Sequence, residues 1–244
     1  MIVLTSTPTW YIHLGKKPAD FQRFLDDPRI LLWVTNQHQA RAAVHPKVLS
    51  LPLGVKGEVA LHAAMRKAAG VKKNKLLLIN NSGWRHRTGI NEMVGAKFAT
   101  AGGATASNAY AVGRARTAVD EPYQFQVARA KFVLCPSGMG WDTYRHWEVL
   151  LMGSIPVMES SPGFDRTFTG LPVLIVPSFD VVTPELLEST YEDFVRRQAE
   201  WDYERLTRRY WMDMVFRVAD TGKSGLVLEK HPVTPMTPVR RPMA

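Results

Sequence analysis

The chain has 244 residues, with 31 Lys and Arg against 22 Asp and Glu and a formal net charge of +9. Hydrophobic residues make up 45% and charged residues 22%, which excludes a wholly disordered or fibrous chain and leaves enough apolar material for a real core. A single cysteine, Cys135, excludes an internal disulfide framework. No window nears the roughly 18 to 20 consecutive apolar residues of a membrane span, and no export signal or membrane anchor is read at the start. The excess positive charge favours anionic ligands: nucleic acid, acidic lipid or a nucleotide diphosphate.

Ile2 to Thr5 reads as a strand running into the turn Ser6-Thr7-Pro8. Pro18 to Leu25 has the spacing of a short helix stopped by Asp26-Asp27-Pro28, and Ile30 to Val34 and Val48 to Leu53 are strands. A basic helix from Glu58 to Ala69 leads through Lys72-Lys73-Asn74-Lys75 into the strand Leu76 to Asn80. Asn91 to Phe98 is a helix and Ala101 to Ser107 a loop, and Pro122 to Ala130 leads into the strand Lys131 to Cys135. Pro136 to Asp142 is a turn, Thr143 to Met152 a helix stopped by Gly153, and Ile155 to Met158 a strand. Ser160 to Gly170 reads as a loop before the strand Val173 to Val176. Thr183-Pro184-Glu185 starts a helix with a capping hydroxyl and proline at the first helical position, and a further helix spans Tyr203 to Val218. From Lys230 onward the repeated prolines with Arg240-Arg241 read as a disordered tail.

Continuous apolar strands alternating with helices imply an α/β fold with a mainly parallel sheet covered by helices on both faces. Ligands bind such sheets at the carboxyl ends of the strands, so the loops after Ile79, Leu134 and Met158 are the places to look.

Between Phe132 and Val157 a glycine-containing turn joins a buried strand to a helix. Gly138 and Gly140 permit close backbone approach of a ligand, and the amides and dipole of the following helix favour phosphate oxygens. At three- and four-residue spacing, Asp142, Arg145 and Glu148 or Val149 share one helical face, while Trp147, Leu150 and Leu151 point to the core. Arg145 is suited to a diphosphate, and Glu148 to ribose hydroxyls. The spacing fits equally well an Asp142 that caps the helix and an Arg145–Glu148 solvated pair.

The run Lys131-Phe132-Val133-Leu134-Cys135-Pro136-Ser137-Gly138-Met139-Gly140-Trp141-Asp142-Thr143-Tyr144-Arg145-His146-Trp147-Glu148, continuing through Leu150, Gly153 and Ile155-Pro156-Val157, resembles the signature of exostosin-like glycosyltransferases. Looser similarity extends over about residues 30 to 215, through His45-Pro46-Lys47-Val48, Leu51-Pro52-Leu53-Gly54, Leu77 to Arg87, Leu171-Pro172-Val173 and Thr183 to Leu187. The resemblance implies a GT-B architecture, with an abbreviated N-terminal acceptor-side lobe over 1–60, a C-terminal Rossmann-like nucleotide-sugar-binding domain over 61–228 and the tail over 229–244. The short N-terminal part is also what a fragment of a longer transferase would show.

By the resemblance the donor site comprises Arg85, Arg87, Ser137, Gly138, Gly140, Asp142, Arg145 and Glu148. It implies inverting sugar transfer to a carbohydrate or glycoconjugate acceptor, with no cofactor and no metal. The expected donor is a nucleotide sugar, with a UDP-sugar the first expectation. His13, His38 and Asp120 are candidates for a general base by residue type only. Ser160, Ser161 and Phe164 follow a strand end and are further candidates for donor contact. Two other readings remain: a basic nucleic-acid-binding protein using the lysine run and the tail, which no recognised motif accompanies, and a transferase-like domain without activity. Cys135 reads as a small core residue, and Trp201 and Trp211 as packing residues.

Overall fold

The computed structural model describes residues 1–5, 18–36, 45–81, 86–100, 123–138, 140–161 and 163–222. Two separate sheets contain every described strand, and every described pairing is parallel. Strands β1 (Ile2–Thr5), β2 (Leu32–Thr35) and β3 (Val48–Ser50) form one sheet in that order. Strands β4 (Lys75–Leu78), β5 (Ala130–Leu134), β6 (Ile155–Glu159) and β7 (Leu174–Val176) form the other, again in sequence order. The register pairs Leu77 with Phe132, Phe132 with Ile155 and Val157 with Leu174.

The four-stranded sheet is apolar on both faces because successive side chains alternate across it. Leu77, Ile79, Phe132, Leu134, Val157, Leu174 and Val176 pack in one cluster with Val94 and Phe98 of α3 (Arg87–Thr100) and Leu187 and Phe194 of α7 (Pro184–Arg196). The alternate residues Leu78, Val133 and Cys135 pack with α2 (Glu58–Ala68), α4 (Tyr123–Arg129) and α5 (Tyr144–Leu151), through Leu61, Val127, Ala128, Val149 and Met152. Helices therefore cover both faces.

The three-stranded sheet divides the same way. Trp33 and Val48 meet Leu25 and Phe24 of α1 (Pro18–Asp26), with Phe24 edge-on to Trp33 at 6.4 Å. Leu32, Val34 and Leu49 instead join a cluster with Trp147 and Leu150 of α5, Phe168 of α6 (Asp165–Phe168), and Trp211, Val215 and Val218 of α8 (Arg208–Thr221). One apolar cluster thus joins the two sheets, with Met158 of β6 in it and α8, the last described helix, closing it. Two polar contacts add to it: Leu53 N–H donates to Asp142 Oδ2 at 2.6 Å, and Ser50 Oγ donates to the Gly163 carbonyl at 3.4 Å.

Several boundaries differ from the sequence expectation. Helix α3 begins at Arg87, four residues before Asn91. The approach to β5 is itself a helix, α4, and the loop after β6 contains α6. The expected helix over Tyr203 to Val218 is broken: a 3-10 turn at Tyr203–Leu206 precedes α8, whose N-cap is Thr207. Thr207 Oγ1 accepts from Tyr210 N–H, which stops α8 from extending backward. The expected loop over 101–107 and the tail from 230 lie outside the described residues.

A candidate anion site at the strand ends

Strands β4 and β5 are neighbours, so their carboxyl ends deliver Asn80 and the segment Pro136-Ser137-Gly138 to one edge of the sheet. Arg87, the first residue of α3, reaches this edge. Its Nε donates to the Ser137 carbonyl at 2.8 Å and its Nη2 to the Pro136 carbonyl at 3.4 Å. His86 Nε2 lies 3.1 Å from Ser137 Oγ. Gly138 N–H donates to the Gly140 carbonyl at 2.9 Å, closing a tight loop. A Cβ on Gly138 would stand 2.8 Å from Arg87 Nη2, closer than van der Waals contact allows. In this structure the absent side chain at Gly138 therefore makes room for the Arg87 guanidinium.

Arg145, on the first turn of α5, meets the same edge from the other side. Its Nη1 donates to the Asn80 carbonyl and, at 2.9 Å, to the Tyr123 hydroxyl, and the guanidinium lies 5.1 Å from the centre of the Tyr123 ring. A guanidinium carries five N–H donors in a planar fork. Those on Arg145 Nε and Nη2 meet no acceptor among the described residues. The partly buried Glu148 carboxylate has neither a hydrogen-bond nor an ion-pair partner among the described residues. Arg145 and Glu148 are thus not a solvated pair, which decides one question the spacing left open.

The electrostatics fit this picture. Burial first, and the Arg145 guanidinium second, push Arg87 down from its usual pKa. The two guanidinium charges repel at the place where burial already disfavours the charge on Arg87, and an anion beside Arg87 would offset both. Burial pushes the Cys135 thiol up to about 12; Arg145 and Arg87 oppose this and Glu148 reinforces it. All three charges therefore act on the end of β5, while Cys135 itself stays a protonated core thiol.

Asp142 plays a different part from the one its spacing suggested. The helix starts at Tyr144 with Thr143 as N-cap, so Asp142 precedes it and helical periodicity does not apply. Its carboxylate is 2% exposed and accepts from Trp147 Nε1, at 2.9 Å to Oδ1 and 3.1 Å to Oδ2, and from Leu53 N–H. It ties α5 to the segment after β3, its oxygens engaged by the Trp147 indole and the Leu53 amide. His146 is also buried: Thr143 N–H donates to its Nδ1 at 3.1 Å, which puts the ring proton on Nε2, 3.1 Å from the Cys135 carbonyl it donates to. With Nδ1 unprotonated, its 3.4 Å approach to Asp142 Oδ1 is not an ion pair.

The loop after β6 is braced from within at its start. Ser160 Oγ and Ser161 N–H donate to the Asp165 carboxylate at 2.6 and 2.8 Å, while burial pushes that carboxyl up. Ser161 and Phe164 are buried, at 1% and 0% exposed. Lys73, assigned above to a basic run, points inward: its Nζ donates to the carbonyls of Ala128 and Ala130, both at 3.1 Å, and to Ser154 Oγ at 2.8 Å. Burial pushes it down to about 8.

The structure thus brings together Arg87, Ser137, Gly138, Arg145 and, within electrostatic reach, Glu148; it sets Asp142 aside. Arg85, His13, His38 and Asp120 lie outside the described residues. Sequence reasoning missed Tyr123, Asn80 and His86. Tyr123 carries no motif signal, because its partner Arg145 is distant in sequence and belongs to another helix. Among the described residues no cluster of three His, Cys, Asp or Glu is placed to hold a metal ion, and no helix is long and apolar enough to cross a membrane. Neither a scan of family models nor a search of curated protein sequences returns a match.

Proposed function

We propose that this chain binds the diphosphate of a nucleotide sugar at the carboxyl ends of β4 and β5 and transfers the sugar to a carbohydrate or glycoconjugate acceptor. The observation that carries the reading is Arg145: one edge of its guanidinium is fixed by neutral oxygens, and the other edge has no acceptor among the described residues. A free edge of this kind matches the bidentate geometry of a phosphate. Arg87 supplies the second cation, and Glu148 an acceptor for ribose hydroxyls.

In the transfer the anomeric C–O bond breaks and its electron pair stays on the diphosphate oxygen, while the acceptor oxygen forms the new bond and releases its proton to solvent. Negative charge therefore accumulates on the diphosphate, where Arg87 and Arg145 stabilise it more in the transition state than in the ground state. A UDP-sugar is the first donor to try. The inward-facing Lys73 favours this reading over nucleic-acid binding, since it removes one cation from the proposed basic surface.

Titration calorimetry with UDP, GDP and their sugars checks the proposal. Wild-type protein should bind at least one of them saturably, and Arg145→Ala should weaken that binding about 10- to 100-fold, the range for a lost charge-assisted pair. A well-folded wild type that binds none of them would refute it.

A further inference from the structure

The proposed anion site depends on a cation held in place but not neutralised, and the structure shows what holds it. Arg145 is fixed by the Asn80 carbonyl, by the Tyr123 hydroxyl at 2.9 Å and by the face of the Tyr123 ring at 5.1 Å. All three are neutral. A carboxylate in the place of Tyr123 would hold the guanidinium more strongly but would also cancel the charge an incoming anion needs. A phenol accepts the N–H through its lone pairs, and its ring attracts the cation through the quadrupole, while the net charge of the site stays positive.

Tyr123 is itself anchored to the same strand end. It opens α4, and one turn later Gln126 Oε1 accepts from Asn80 Nδ2 at 2.8 Å. The end of β4, the first turn of α4 and the guanidinium of α5 therefore form one network, in which Nη1 is occupied and the Nε–Nη2 edge remains available.

We infer that Tyr123 is a positioning residue for anion binding: it orients the Arg145 fork toward a diphosphate without compensating its charge. The inference rests on the functional reading above and adds to it a residue that the resemblance does not supply. Tyr123→Phe keeps the ring and the packing and removes only the hydroxyl acceptor.

The test measures binding of UDP and of inorganic pyrophosphate by Tyr123→Phe, in the wild-type and Arg145→Lys backgrounds, with thermal melting alongside. In the wild-type background the substitution should weaken both ligands about fivefold to tenfold, the size of one ordinary hydrogen bond, because the hydroxyl acts on the ligand only through Arg145. In the Arg145→Lys background, where no fork remains to be oriented, the same substitution should change binding less than about twofold. Equal losses in the two backgrounds would assign Tyr123 a general structural role and overturn the inference, as would wild-type affinity in Tyr123→Phe. Either result leaves the diphosphate reading standing if wild type binds UDP. Binding of pyrophosphate without any nucleotide would sink the nucleotide-sugar reading and leave Tyr123 to be judged on pyrophosphate. A wild type that binds neither of these ligands, and no GDP or nucleotide sugar either, overturns both.

Discussion

Two arginine clusters in this molecule use similar parts for different ends. At the α6–α8 junction Arg205 is 1% exposed; it donates to Tyr210 Oη at 2.7 Å and to the carbonyls of Arg166 and Thr167 at 3.1 and 3.2 Å. Its guanidinium lies 5.1 Å and 5.3 Å from the rings of Tyr210 and Trp211. At the strand ends Arg145 has the same kinds of partner, a carbonyl, a tyrosine hydroxyl and an aromatic face, but it is only partly buried. Neutral oxygens and aromatic faces around an arginine do not by themselves mark a binding site. The difference lies in exposure: the first cluster is sealed and braces the fold, the second is only partly buried and has a second cation, Arg87, near it.

Removing the sealed cation should have the largest effect. Arg205→Ala strands the Arg166 and Thr167 carbonyls and the Tyr210 hydroxyl and leaves a cavity, at a cost of about 3 to 4 kcal/mol. A fall in melting temperature of about 10 °C is expected, with nucleotide affinity unchanged in the protein that remains folded. A drop in affinity at unchanged melting temperature would erase the distinction between the clusters.

A smaller effect, on binding alone, is expected at the open cluster. Gly138→Ala places a methyl group against Arg87 Nη2, and the guanidinium must move. Affinity for UDP should fall about threefold to tenfold with little change in melting temperature. Unchanged affinity would mean that Arg87 is not part of the site.

Lys73 extends the comparison to a third desolvated cation and has the smallest expected effect. Its folded pKa is pushed down to about 8, below the ordinary lysine value near 10.4. Below about pH 8 both states are protonated and the burial penalty is fully felt. Between there and the unfolded value the unfolded chain holds a proton the folded chain has released, so stability rises with pH. Melting temperature should rise by about 2 to 4 °C from pH 8 to about 9.5, and Lys73→Met should flatten that rise. Tyr203 and Tyr210, both pushed up by burial, act in the opposite direction at higher pH, which is why the window stops there.

The strands were legible because burial on both faces demands unbroken apolar runs, and Leu76 to Ile79 and Phe132 to Cys135 supply them. Arg145 and Glu148 were legible as candidates from their place behind a glycine turn. Asp142 was misread as a member of their face because a periodicity argument assumes a helix, and the helix begins two residues later. Helices α4 and α6 are short, at 7 and 4 residues, and give too few turns for a periodic pattern to show. Tyr123 could not be found from sequence at all: its role exists only once β4, α4 and α5 are packed together.

The strand order has a kinetic corollary. Phe132 pairs with Ile155 and Val157 with Leu174 over short crossovers, whereas the span from Lys75 to its partner Ala130 is more than twice as long as the first of these. Loop-closure entropy rises with length, so β5, β6 and β7 can assemble cheaply and β4 is the costliest strand to add. Asn80 arrives with β4, and with it one of the groups that fix Arg145. The proposed anion site at the sheet edge is therefore completed by the entropically dearest pairing, and a fluctuation that frays β4 would dismantle it while the rest of that sheet stays folded.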